Sequence, residues 1–335
     1  MAGGRLAGNA YSSSPVMLQG GGLHRSRKRL TQMKVRSLIC LFVAVLAMPL
    51  PAMAADTCPP AGYSEEQLLE LGRGGFVIAD AAQRNALAPG LMACLPDPNP
   101  AIRDGVVYTG LATWLRGQSL APETINALYA NLLVQIASTA DANGFQQPFA
   151  ALVLSEVART GRIDNTFTPA MRNELVEVAA NYLASVRDYR GFSETEGWRH
   201  GVAHGSDLVL QLALNPNIDG AQIERLMNAV AAQVAPAGEV FYVYGEPGRL
   251  ARAVFYAWAR ETVAPVYWQA WFDRIENPAP MKNWNEAFAS QAGLARRHNT
   301  MALLLALHLN ATTAGKQAEA LDALVLQALN RVQGE

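Results

Sequence analysis

Charge is scarce in this sequence and balanced where it occurs. Asp, Glu, Lys and Arg make up 16% of the 335 residues, with 27 basic side chains against 28 acidic ones. Such a chain lacks the broad positive field that draws most nucleic-acid binders to phosphate, so nucleic acid is not expected as a partner. Cysteine is nearly absent, three residues in all, with no CxxC pair to suggest redox chemistry. A nucleophile-elbow GxSxG and a Gly-rich phosphate loop are also missing, which weakens the easily recognised enzyme classes. Beyond the N-terminal region no apolar run is long enough to span a bilayer.

What is present is apolar. Half of the residues are hydrophobic, enough for one large domain or two ordinary ones, and the composition is neither disordered nor fibrous. Met33-Lys34-Val35-Arg36, the apolar run from Ser37 to Leu50 and Ala52-Met53-Ala54 read together as a secretory signal peptide over residues 33–54. Residues 1–32 read as an upstream extension with Met33 as the initiator; the alternative is an unusually long basic region ahead of the apolar run. Cleavage after Ala54 removes Cys40 and leaves Cys58 and Cys94, which in an exported protein are expected to pair. The bridge closes about 36 residues and would contribute roughly 3 to 4 kcal/mol. The mature protein is expected in the bacterial periplasm, with no stable membrane span.

The remaining chain is punctuated as helices. Residues 55–98 form a lead-in, with Ser64 and Gln67 as a capping box and helical stretches over Phe76 to Leu87 and Leu91 to Leu95. Asn99-Pro100 opens a helix to about Gly117. Pro122, Pro148, Pro169, Pro247 and Pro265 each mark a helix start, Asp219-Gly220 another, and Asn285 to Asn310 and Lys316 to Val332 finish the chain. Alternate helices start near residues 100, 147, 196, 247 and 290, a period of about 47. The expected fold is therefore all-α, a HEAT-like α-solenoid or α/α helical-repeat array of about ten to twelve helices, with an irregular bundle as the alternative. Val240 to Tyr244 alternates like a strand but has no partner strand, so it reads as an apolar loop over the helix ends.

The chemistry concentrates in Gly197-Trp198-Arg199-His200-Gly201-Val202-Ala203-His204-Gly205-Ser206-Asp207. On one helix advancing about 100° per residue, Glu196, His200, His204, Asp207 and Gln211 make a polar stripe, Gly197, Gly201 and Gly205 a second, and Trp198, Val202, Val209 and Ala213 an apolar face. Three glycines cost roughly 3 kcal/mol of helix propensity, which close approach of a neighbouring helix would offset. Two histidines four apart with an aspartate three further on match the beginning of a helical zinc site. Without a glutamate directly after the first histidine the zinc-protease motif is absent, and Glu196, His298 or Asp104 would have to supply a further ligand. The same stripe also reads as hydrogen-bonded structure, or as metal-free acid/base or polar ligand contact. If alternate helices line one concave side, Asp104, Tyr108, Gln147, His200, His204, Asp207, Arg249 and His298 converge there. Trp268 and Trp271, three apart on one face, read as core.

Through Ile102-Arg103-Asp104, Phe145 to Ala158, Tyr189-Arg190-Gly191-Phe192 and above all Gly197 to Asp207, residues 99–335 resemble the DUF2785 family of bacterial helical domains. The resemblance implies an all-helical fold and marks the motif, but brings no substrate. Arg199, Gly201 and Glu246-Pro247-Gly248-Arg249 depart from the family pattern, which puts a family-wide role for Glu246 in question. The candidate cleft thus comprises Asp104, Arg190, Trp198, His200, His204, Asp207, Arg249 and His298. Its expected occupant is a peptide, glycan or small anionic ligand held by a binding or scaffold module. The alternative is a metal-assisted hydrolase in which His200, His204 and Asp207 hold a divalent ion such as zinc, and Glu196 or another carboxylate activates water.

Overall fold

The computed structural model describes residues 57–334; the signal-peptide and upstream-extension expectations for residues 1–54 lie outside them. Among the described residues there are twelve α-helices and one two-residue hairpin. The Ser64 capping box forms as expected and opens α1 (Glu65–Arg73). Asp80 caps α2 (Ala81–Gly90), so Phe76 to Asp80 is not helical; Phe76 itself adopts a positive φ of 61°. A 3₁₀ turn, Leu91–Cys94, follows, and Cys58 and Cys94 form the expected disulfide.

The helix expected from Pro100 to Gly117 is two structures in series. Ala101–Tyr108 winds as a π-helix and runs directly into α3 (Thr109–Arg116). Thr109 donates its backbone N–H to the Asp104 carbonyl five residues back, and its hydroxyl donates to the same oxygen at 2.9 Å. π-Helical turns are uncommon and tend to accompany functional sites.

Prolines open α4 (Pro122–Ile136), α6 (Pro169–Ser185) and α10 (Pro265–Ile275) at their first position. Their missing N–H falls where a helix has no intrahelical acceptor to offer. Pro148 and Pro247 sit in the first turns of α5 (Gln146–Asp164) and α9 (Glu246–Trp258). Asp219 and Gln222 form a capping box on α8 (Gly220–Val234). α11 runs Gln291–Ala314 and α12 Glu319–Gln333. Asn285 to Ala289, expected to begin α11, instead belong to a separate 3₁₀ turn, Trp284–Ala289, because the Ser290 side chain caps the true start by accepting from Gly293 N–H.

α7 is shorter than the motif suggested. It spans Gly201–Ala213, while Phe192–Ser193 (β1) and Gly197–Trp198 (β2) pair antiparallel in the hairpin before it. Gly197 at φ +73° turns the chain there, so Glu196, Gly197 and Trp198 are not on the helix, His200 only caps it, and the polar, glycine and apolar stripes all shorten.

Alternate helices pack on one another in two layers. In one, α3 meets α5, α5 meets α7, α7 meets α9 and α9 meets α11; in the other, α4, α6, α8, α10 and α12 follow in turn. α5 and α7 lie at the centre of the first layer and are buried over most of their length. Along α7 only Asp207 and Gln211 escape full burial. Four residues apart, they open on the same side. Trp268 and Trp271 are buried in the core.

Candidate functional site

α7 presses against α6 where it has no side chains. A Cβ at Gly205 would lie 3.1 Å from both Leu183 Cδ1 and Tyr182 Cε1, and one at Gly201 would lie 3.3 Å from the Tyr182 hydroxyl. That hydroxyl donates to the Gly201 carbonyl at 3.3 Å. Two of the three glycines therefore admit the neighbouring helix, and the polar stripe is left to face away from it.

The hairpin is set by Arg103, a wholly buried arginine on the π-helix. Its guanidinium donates to the Glu196 carbonyl at 2.7 Å and to the Asp97 carbonyl at 2.8 Å. It also pairs with Asp104 at 2.7 Å. The same group lies 3.9 Å from the centre of the Phe145 ring, and the Arg199 guanidinium 4.2 Å from it. Two guanidiniums that close cannot share one face, so the ring is sandwiched between them. Arg199 also pairs with Glu196 and donates to the Asn143 carbonyl at 2.8 Å. Arg199 thus supplies a second clamp on the hairpin.

With the hairpin fixed, His200 caps α7 in the left-handed conformation, φ 60° and ψ 37°. That conformation costs a non-glycine residue of order 1 kcal/mol or more. Its ring stacks on Trp198 with centroids 4.6 Å apart. Nε2 lies 3.0 Å from the Tyr244 carbonyl. A carbonyl only accepts, so Nε2 carries the proton and the neutral ring keeps its lone pair on Nδ1. Tyr244 can lie where it does because Gly191 has no side chain: a Cβ there would be 2.0 Å from the Tyr244 ring.

One helical turn on, His204 meets the Phe149 ring edge-on at 5.2 Å. Only 7% of it is exposed; the Pro148 carbonyl lies near the ring, but Nδ1 makes no hydrogen bond of good geometry. Asp207 pairs with Arg249 of α9. These residues, with Asp104 and Tyr108 from the π-helix and Leu152 from α5, line a cleft of about 440 Å³. Its volume falls within the range of small-molecule sites.

Burial governs the protonation of the walls. It pushes His200 down to about 4 and His204 to about 3, so both rings are neutral near pH 7. It raises Asp207 despite the Arg249 guanidinium beside it, and raises Asp104 despite Arg103. The Tyr108 phenol is likewise pushed up.

Of the eight residues singled out from the sequence, Asp104, Trp198, His200, His204, Asp207 and Arg249 line this cleft. Arg190 does not; held by Asp188, it lines a second cavity of about 580 Å³ on the far side of Tyr244. His298 faces neither: its Nε2 bonds the Tyr242 carbonyl at 3.2 Å, because the loop before α9 lies between α11 and the cleft. Gln147 lies elsewhere, donating to the Ile136 carbonyl at 3.0 Å. Tyr244 and Leu152 escaped the sequence reading. Tyr244 sat in an apolar stretch, and the only signal for it was Gly191 in the Tyr189-Arg190-Gly191-Phe192 segment.

The donor set does not suit a metal held by His200, His204 and Asp207. His200, with Nε2–H held by the Tyr244 carbonyl, still has Nδ1 to offer, but Asp207 is taken by Arg249. Among the described residues no three His, Cys, Asp or Glu side chains gather as a metal site. Glu196, the proposed water-activating carboxylate, is turned to Arg199 and lines the second cavity instead.

No curated protein and no solved structure matches the chain. Residues 132–309 match a family described as protein of unknown function, DUF2785. The matched stretch carries the hairpin, α7 and the Arg249 turn, while Asp104 and Tyr108 precede it. With more than half of its length matched, the chain belongs to the DUF2785 family.

Proposed function

We propose that this protein is an exported binding module whose cleft takes a small, neutral, hydroxyl-rich ligand such as a short glycan. One observation carries the reading: costly features that a merely stable helical fold would avoid all line the same cleft. They are a left-handed His200, a buried His204 with a nitrogen lacking a well-formed hydrogen bond, a desolvated Asp207 and a π-helical wall. Departures from local stability rules are expected to gather at functional sites.

The charge pattern supports a neutral ligand over an anion. Each acid in the wall already has its own arginine, Asp104 with Arg103 and Asp207 with Arg249, and both histidines are neutral. What remains is a mixture of donors and acceptors: the His200 Nδ1 lone pair, the Tyr108 hydroxyl and the partly exposed Arg249 guanidinium. Hydroxyl groups, which both donate and accept, match such a mixture. The disulfide supports an oxidising compartment, in keeping with the signal peptide read at residues 33–54.

A thermal-shift panel of neutral mono- and disaccharides, small carboxylates, phosphate and zinc tests the reading on the wild type and on Asp207→Asn. A saccharide that raises the wild-type midpoint and not that of the variant is the expected result. A shift from carboxylate or phosphate alone would overturn the ligand class. A shift from zinc lost in Asp207→Asn would restore the metal-assisted hydrolase.

A further inference from the structure

Val240 to Tyr244 reads like a strand from sequence and has no partner strand in the fold. Its hydrogen bonds explain how it survives. The Asn299 side chain, wholly buried on α11, accepts from Tyr242 N–H at 2.9 Å and donates to the Val240 carbonyl at 2.8 Å. His298 bonds the Tyr242 carbonyl at 3.2 Å and His200 the Tyr244 carbonyl at 3.0 Å. The Glu246 carboxylate accepts from Tyr244 N–H at 2.9 Å. Every one of these bonds serves an even-numbered residue. In an extended chain the N–H and C=O of one residue point to the same side and those of the next residue to the other. Side chains of α9 and α11 and the His200 cap of α7 thus stand in for a neighbouring strand along one edge.

The other edge is open. The N–H and C=O groups of Phe241 and Val243 have no partner among the described residues. Both residues are exposed, Val243 at 66%. Edges are normally blunted by charge, proline or a covering element, and Val240 to Tyr244 contains neither charge nor proline. Beside it lies the second cavity, about 580 Å³, walled by Phe192, Phe241 and Tyr244 with Arg190 and Glu239 at its rim. Arg190 is held by Asp188 and Arg199 by Glu196. Glu239 makes no ion pair among the described residues, so the uncompensated charge at the groove is negative.

We infer that the Phe241–Val243 edge and its groove form a docking site for an extended peptide of another protein. The peptide adds as a β-strand and alternates apolar residues with lysine or arginine. Main-chain bonds to Phe241 and Val243 supply affinity, as in other strand-addition sites. The aromatic walls take the apolar side chains, and Glu239 takes a basic one. The site opens on the far side of Tyr244 from the cleft around His204, and Tyr244 is a wall of both.

The probe is a capped seven-residue peptide alternating lysine with valine and phenylalanine, beside the same peptide N-methylated on alternate residues. The mature protein with its disulfide intact is titrated by calorimetry and followed by amide hydrogen exchange. Binding is expected to slow exchange at Phe241 and Val243, and N-methylation to abolish it. Val243→Pro removes an outward N–H that holds nothing in the fold and is expected to weaken binding about tenfold. Val243→Ala keeps that N–H and binds as the wild type does. Unchanged thermal midpoints show that both variants are folded. No protection at millimolar peptide, or equal binding by Val243→Pro, would overturn the inference. So would protection that rises with protein concentration alone, which would assign the edge to a second copy of the chain.

Discussion

His204 has a ring almost wholly out of water, a nitrogen without a well-formed hydrogen bond and an aromatic ring against its edge. An unsatisfied buried polar atom costs about 1–3 kcal/mol. His204→Leu, close to it in volume, is therefore expected to stabilise the protein by about 1 kcal/mol or more at pH 7, read as a higher midpoint in thermal unfolding. The same substitution should weaken ligand binding in the cleft. Stability falling with binding would instead make His204 a packing residue. Acid titration gives a second reading. Because burial holds the folded-state value near 3, below the ordinary 6.5, the stability attached to His204 is complete above pH 6.5. It is lost as pH falls, since only the unfolded chain takes the proton, at up to about 1.4 kcal/mol per pH unit. His200, held near 4, acts in the same direction. Asp104, Asp207 and Glu246 act oppositely, since burial raises them. The difference between wild type and His204→Leu isolates one ring. In urea unfolding at stepped pH, the advantage of the variant is expected to widen steadily from pH 6.5 to 4.

At the scale of elements, the cleft was legible where its residues share a helix or its prolines mark helix starts. His204 and Asp207 open on one side of α7, and the alternate-helix reading brought α9 and the turn before α3 to the same face, and with them Arg249, Asp104 and Tyr108. What escaped is set by contacts across the chain. No local signal says that Arg103, more than ninety residues earlier, will hold the Glu196 carbonyl. That bond helps keep Glu196 to Trp198 as a hairpin and leaves the helix to start at Gly201. His298 was misplaced for a similar reason, since its position depends on a loop whose backbone it holds. Arg103→Met tests this account of the hairpin. Loss of a buried cation leaves Asp104 uncompensated and the Glu196 carbonyl without its donor, at a cost of about 3 kcal/mol or more. The hairpin over residues 192–198 should then be cut faster by a protease under native conditions, while the rest of the chain is spared. Arg103→Lys keeps the charge but not the fork of donors, and should fall between the two.

At the scale of the whole molecule, the cleft joins two parts with different supports. One wall belongs to α5, α7 and α9, which sit in the middle of a helical layer and are held on both sides. The other is the π-helix with Asp104 and Tyr108, packed by α1 and by the turn that holds Cys94. The Cys58–Cys94 bridge ties that lead-in together across a sequence separation of 36. By limiting the unfolded chain, a loop of this length contributes roughly 3 to 4 kcal/mol. Because that contribution falls on the lead-in, the paired substitution Cys58→Ser with Cys94→Ser should not weaken the fold evenly. Hydrogen exchange is expected to quicken first in residues 57–116, with α5 to α12 still protected, and saccharide binding should weaken before the thermal midpoint of the helical layers moves. The π-helix is then the adjustable wall of the site and α7 the fixed one. Protection lost evenly along the chain would mean the opposite, that lead-in and layers unfold as a single cooperative unit and the cleft has no softer side.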